Sequence, residues 1–152
     1  MRTLSIDIET YSGTDLAKSG VFRYAESPDF EVMLFGYSAD GGPVHVIDLA
    51  SGEKLPRDVL NALTDESVLK WAHNAQFERV CLSQYLGSWL SADSWRCTMV
   101  WSAYLGLPLS LEGAALVSGA GNDGNFHDAV HHRNAACQRN IRQAGQIRRR
   151  NR

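Results

Sequence analysis

The order of apolar and polar positions divides the first part of the chain into short alternating runs, followed by runs of helical period. Residues 3–8 alternate, with Leu4, Ile6 and Ile8 on one side and Asp7 on the other, which predicts a half-buried strand. Val32-Met33-Leu34-Phe35-Gly36-Tyr37-Ser38 is almost continuously apolar and fits a strand covered on both faces. Asp40-Gly41-Gly42-Pro43 is turn chemistry, so Val44-His45-Val46-Ile47-Asp48-Leu49 reads as the return strand of a hairpin. Three consecutive antiparallel strands are therefore expected to open the fold.

The period then lengthens. Pro56 begins a helix carrying Val59, Leu60 and Leu63, with proline near the first turn where its missing N–H costs nothing. Residues 68–73 form a short strand, and residues 75–86 place Phe77, Val80, Cys81 and Tyr85 on one helical face. Residues 95–98 read as another strand, and residues 99–105 and 109–117 as helices separated by Gly106 and Pro108. A hairpin followed by this αβαβα alternation predicts a mixed sheet with helices packed on it. The four tryptophans, Trp71, Trp89, Trp95 and Trp101, are expected in its core.

Composition changes the picture at Val117. Residues 1–117 hold 15 acidic and 8 basic residues, whereas residues 118–152 hold 2 and 7. All sixteen leucines precede the break, and after it every basic residue is arginine. With Phe126, Val130, Ile141 and Ile147 as its only large apolar side chains, the second segment offers little area against its own ordering entropy. It is expected to be a poorly packed, Arg-rich tail: either a basic arm for phosphates or the product of a frameshift, the reading favoured by so abrupt a switch within a helical pattern. Cys81, Cys97 and Cys137 are scattered, with neither disulfide nor zinc spacing, as for reduced thiols in a cytoplasmic protein. No secretory leader and no run of 18 apolar residues is visible, so no membrane partner is expected.

Two motifs bear chemistry. In Asp7-Ile8-Glu9-Thr10 the strand period projects Asp7 and Glu9 from one face, about 7 Å apart, a spacing suited to hard divalent cations; a strand running into a solvated turn would look the same. His73-Asn74-Ala75-Gln76-Phe77-Glu78 spans a strand-to-helix junction, with Asn74 as N-cap and Glu78 one turn later, at the sheet edge where open α/β folds bind ligands. A capped helix with a surface glutamate is the plainer reading of that segment. His127, His131 and His132 have a spacing that zinc sites use but lie in the apolar-poor tail, and His45 and His73 read as structural.

Taken together, an Asp-x-Glu on the first strand, a hairpin, and an Asn-x-x-x-acid opening a later helix resemble the first two signatures of the DEDD-type 3′–5′ exonucleases. Cys97-Thr98-Met99-Val100 is similar to the Asp-Thr-Met segment of proofreading domains in family-A DNA polymerases, and Leu111-Glu112-Gly113-Ala114-Ala115-Leu116 to a helix that follows it. Gly20-Val21-Phe22-Arg23-Tyr24-Ala25 looks like phage and prophage members. The resemblance implies an α/β, ribonuclease H-like mixed sheet with flanking helices, covering residues 1–117 and incomplete at its C-terminal end. It implies Asp7, Glu9 and Glu78 as catalytic residues and ligands of a two-metal Mg²⁺ or Mn²⁺ site, and Thr10, Asn74 and Phe77 as contacts to the 3′ end of single-stranded DNA. A polymerase domain would be the partner in a full-length member.

Two departures stand out. Glu78 occupies a position the family usually fills with aspartate. The last signature, a Tyr or His four or five residues before an Asp, is absent: Asp123 follows Ser118 and Gly119 at those distances, and Asp128 follows Asp123 and Gly124. A weak or inactive exonuclease fragment is thus expected, the alternatives being a non-enzymatic nucleic-acid-binding remnant or another ribonuclease H-like nuclease.

Overall fold

The computed structural model describes residues 1–117, which form one five-stranded mixed sheet with helices on it. In chain order these are β1 (Thr3–Tyr11), α1 (Leu16–Ala25), β2 (Glu31–Ala39), β3 (Val44–Asp48), α2 (Arg57–Thr64), β4 (Leu69–Ala72), α3 (Ala75–Leu86), β5 (Trp95–Cys97), α4 (Thr98–Tyr104) and α5 (Leu111–Val117). The strand order is β3-β2-β1-β4-β5. The first three strands pair antiparallel, as their alternation and the turn at residues 40–43 predict. β4 then joins β1 in parallel and β5 joins β4 in parallel, each reached through a helix-bearing connection. Everything expected of the tail, including His127, His131 and His132, lies outside the described residues.

One helix escapes the pattern reading. α1 stands between β1 and β2, capped by Asp15, whose carboxylate accepts the N–H groups of Ala17 and Lys18. Gly20 sits inside it at φ 75° and ψ 166°, so the helix kinks and its two halves present no common apolar stripe. The β2–β3 turn has Asp40 and Gly41 at positive φ, and the Asp40 carboxylate accepts the Arg2 and Thr3 N–H groups at 2.7 and 2.8 Å. The turn thereby caps the start of β1.

The main core lies on the sheet face that carries Leu4, Ile6 and Ile8, covered by Val59 and Leu63 of α2 and by Val80, Cys81 and Leu82 of α3. A small second cluster around Leu34, with Met33, Val44 and Val46, marks the opposite face. Trp71 and Trp95 are buried as expected, but Trp89 is 61% exposed and Trp101 40%. Lys70 is the surprise of β4: its side chain is enclosed and donates to the Asp65 carbonyl and to Ser94 Oγ, joining the turns that precede β4 and β5. Burial lowers its pKa from the usual lysine value, partly opposed by the charges of Asp65 and Glu66. Among the described residues no helix is long and apolar enough to cross a membrane.

Candidate metal and nucleic-acid site

β1 is the strand at which the sheet changes sense, antiparallel to β2 on one side and parallel to β4 on the other. The crevice beyond the carboxyl end of such a strand is where open α/β sheets place ligands, because the loops leave it in opposite directions. Asp7 lies midway along β1, two residues past the last residue paired with β4, buried and directly opposite Gly36 in the β1–β2 register, so no side chain stands beside it from that neighbour. Two residues on, the pairing slips: Glu9 faces Leu34 but Thr10 faces Val32, leaving Met33 as an extra residue in β2. The bulge re-aims the end of β1 just as it delivers Glu9 and Thr10, both half-buried.

The second side of the site comes from the β4–α3 junction. Asn74 occupies the helix N-cap, yet its side chain does not cap: the residue is left-handed, at φ 63° and ψ 47°, a conformation asparagine tolerates better than most. The expected capping role is therefore corrected. The Phe77 N–H bonds the Asn74 carbonyl at 2.8 Å, and the exposed Asn74 amide is left to face outward. His73 anchors the junction, with Nε2 donating to the Leu109 carbonyl at 2.8 Å and Nδ1 at 2.9 Å from Thr98 Oγ1. Burial holds its pKa below the usual imidazole value, against the opposing effect of the Leu109 bond.

α3 buries Val80 and Cys81 of its expected apolar face and half-buries Phe77, and it departs from that reading at two residues. Tyr85, expected inside, is 42% exposed, whereas Glu78, which a solvated helix would place outside, is 4% exposed. Its Oε2 is buried with no hydrogen-bond partner. Desolvation pushes the Glu78 pKa well above the ordinary carboxylate value, and the nearby Asp7 carboxylate raises it further. Glu78 in turn helps burial raise the Cys81 thiol to about 12, so that cysteine is no nucleophile. The structure thus brings Asp7 and Glu78 together, with Glu9 one strand repeat further along. Among the described residues, no three His, Cys, Asp or Glu side chains gather closely enough to hold an ion by themselves.

Pattern reading passed over Tyr24, in the last turn of α1. Its hydroxyl lies 2.9 Å from Thr10 Oγ1, and its ring meets Phe77 at 6.0 Å and Phe30 at 5.9 Å. Ser12 Oγ also donates to the Tyr24 carbonyl, at 3.0 Å. The signal that could have found it is its place in the Gly20–Ala25 segment, which was legible as a resemblance but not as a contact.

No family model matches the chain. In sequence it is 53% identical over 115 residues to the DNA polymerase of Bacillus phage SP02, an alignment that covers 76% of this chain and 18% of that protein. In structure it is similar to Brucella melitensis NrnC bound to pGG (TM-score 0.57, 18% identity, 89% of this chain and 65% of that one). NrnC with bound Mg²⁺ gives a TM-score of 0.56 at 17% identity, covering 97% and 77%. A chain from the yeast NOT1 MIF4G domain co-crystallized with CAF1 follows at 0.51 and 11%, covering 90% and 78%. At these identities the structural likeness speaks for the fold, and the sequence match for descent. The chain is homologous to a segment of a phage DNA polymerase, and its mixed five-stranded sheet with flanking helices has the ribonuclease H-like fold.

Proposed function

We propose that residues 1–117 are part of a divalent-metal-dependent 3′–5′ exonuclease unit associated with a phage DNA polymerase, and that residues 118–152 lie outside that unit. The observation that carries the reading is Glu78: a carboxylate enclosed beside a second carboxylate, with one oxygen unpartnered. Such a pair is unfavourable as bare protein, since desolvation and mutual repulsion both oppose ionisation. A hard cation such as Mg²⁺ or Mn²⁺ would relieve both penalties at once, and carboxylate oxygens are the donors it prefers.

In this reading Asp7, Glu9 and Glu78 hold the cation, and Thr10, Asn74 and Phe77 contact the 3′ end of a single DNA strand. Bound divalent metal supplies activation of water and stabilisation of the leaving 3′ oxygen. The chain's own residues set positions. Asp7 is fixed by its place in the central strand, Asn74 offers its amide from a constrained left-handed residue, and Phe77 gives a half-buried ring at the crevice edge. That NrnC, a protein of this fold, is described with bound Mg²⁺, and again bound to pGG, supports the assignment of cation and strand.

The sequence after Val117 has no Tyr or His spaced correctly before an Asp, so a further carboxylate and a water-orienting group are lacking. Groups that act as a unit in a transition state lose several orders of magnitude together, and cleavage by this chain should be correspondingly slow. The test is release of 3′ mononucleotides from a labelled oligonucleotide in Mn²⁺, alongside Mn²⁺ titration, with Asp7→Ala as control. Weak Mn²⁺ binding and slow release, both abolished in Asp7→Ala, are expected. Binding and release that persist in Asp7→Ala would refute the site.

A further inference from the structure

A second surface lies at the C-terminal end of α3, away from the carboxylates at its start. Two open cavities of about 530 and 310 Å³ adjoin there, sharing Glu26 and Gln84 in their walls, and no residue assigned above to cation or DNA lines either one. Phe22, Tyr85 and Trp89 line this groove, and all three are exposed. Clustered apolar exposure of this kind marks contact surfaces. Phe22 stacks on Trp89 at 6.2 Å, and the Arg79 guanidinium lies 4.8 Å from the centre of the same indole. Trp89 thus already seats one guanidinium. The groove is also negative. Glu26 and Glu31 line it, both exposed, and among the described residues neither makes an ion pair. α3 ends at Leu86 with no basic residue in its last turn, so its carbonyl end adds to that potential. The wall formed by residues 26–31 is held in place. The Asp29 carboxylate accepts the Gly13 N–H at 2.9 Å and the Ser27 hydroxyl, and the Phe30 N–H bonds the Ser27 carbonyl at 2.9 Å. An occupant would therefore have little to order on arrival.

We propose that this groove, between the last turn of α1, residues 26–31 and the C-terminal half of α3, is a docking surface for an arginine-bearing segment of a partner protein. Exposed rings bordered by unpaired carboxylates suit a guanidinium, which is planar, stacks on aromatic faces and forks onto carboxylate oxygens, better than a compact ammonium. The same carboxylates repel phosphate, which sets these rings apart from a platform for nucleic-acid bases, where a basic groove tracks the backbone. The surface needs no cation, so it stands or falls independently of the metal reading.

The probe is a fluorescein-labelled peptide of alternating arginine and alanine, followed by anisotropy against the full chain in EDTA, beside a lysine–alanine peptide of equal length. The arginine peptide should bind tighter than the lysine peptide by about threefold or more. Trp89→Ala should weaken it about tenfold, and Glu26→Gln with Glu31→Gln about three- to tenfold. Glu66→Gln with Glu112→Gln, two exposed acids outside the groove, should leave it within about twofold. Equal affinities for the two peptides, or equal losses in the two pairs of acid variants, would mean diffuse charge attraction and overturn the proposal. So would a labelled single-stranded oligonucleotide whose binding is lost in Trp89→Ala, since the rings would then serve bases. If the peptide binds only after Arg148, Arg149, Arg150 and Arg152 are changed to glutamine, the chain's own basic segment is the occupant and the partner is overturned. Thermal melting is the control. Should Trp89→Ala melt early, Tyr85→Ser and the Glu26–Glu31 pair decide: unchanged affinity in both overturns the docking surface, and loss in either supports it.

Discussion

Replacing Glu78 by glutamine should make the metal-free protein more stable. The amide has nearly the shape of the carboxylate, so packing of α3 against the sheet is kept, and what disappears is a charge. In the wild type that charge is enclosed, with an unpartnered oxygen, and faces Asp7. Each pKa unit of upward displacement corresponds to about 1.4 kcal/mol of penalty on the ionised form, while the amide still leaves a buried polar group underbonded. A net gain of about 1–2 kcal/mol at pH 8 is expected, or roughly 4–8 °C in Tm for a body of this size. The sign with pH follows from proton counting. The native pKa is raised, so between the ordinary carboxylate value near 4.5 and the native value the folded protein holds the extra proton. Wild-type stability therefore falls as pH rises through that window, and the advantage of Glu78→Gln should shrink towards zero at about pH 4. Urea unfolding at pH 4, 6 and 8 in EDTA measures it. Adding Mn²⁺ should reverse the order, since a ligand at 100 times its Kd adds about 2.7 kcal/mol to the protein that binds it. A variant less stable than wild type at pH 8, or an advantage independent of pH, would refute the reasoning.

Lys70→Met should flatten stability at alkaline pH. The native lysine pKa is lowered, so the unfolded chain binds more protons between that value and the usual 10.5, and wild-type stability should rise with pH across the window; identical pH profiles in chemical denaturation would contradict this. Gly20→Ala should cost about 1–2 kcal/mol, because φ 75° is a left-handed backbone that a Cβ disfavours, and thermal melting reports it. Asn74→Ala should cost about 1 kcal/mol for the same reason while also weakening binding of a labelled single-stranded oligonucleotide by anisotropy; Asn74→Gly separates the two effects by restoring stability alone. Expressed alone, residues 1–117 should melt within a few degrees of the full chain, and a large loss of Tm would refute the proposed boundary.

The strands and most helices were legible because their apolar spacing is regular: the helix over residues 75–86 and the antiparallel opening trio follow from period alone. What escaped has physical causes. α1 carries a glycine that breaks its stripe, so no window of helical period exists to detect. Lys70 and Glu78 are charged yet enclosed, and a polarity scale assigns such residues to the surface unless their partners are known. Tyr85 on α3 and Trp89 beyond its end are large and apolar but exposed, while Glu78 and Ser83 are buried alongside Val80, Cys81 and Leu82. Of the candidate site, the motifs named Asp7, Glu9, Asn74 and Glu78, whereas the Tyr24–Thr10 bond depends on a contact fourteen residues apart that no spacing rule encodes.

Placing β1 in the middle of the sheet also has a consequence for how the chain acquires its shape. On emergence from a ribosome, β1, β2 and β3 can pair with one another across the α1 connection and the short turn at residues 40–43, but the other edge of β1 stays open until Leu69–Ala72 arrives. Closing that gap is a long-range parallel pairing, the slow kind, because a large loop must be ordered before any ladder bond rewards it. Between these events Thr3, Leu4 and Ser5 present an unpaired backbone edge beside an uncovered apolar face. That nascent intermediate is the species most prone to pair with a neighbour's strand, so aggregation during synthesis should track the delay before β4 docks rather than the stability of the finished fold.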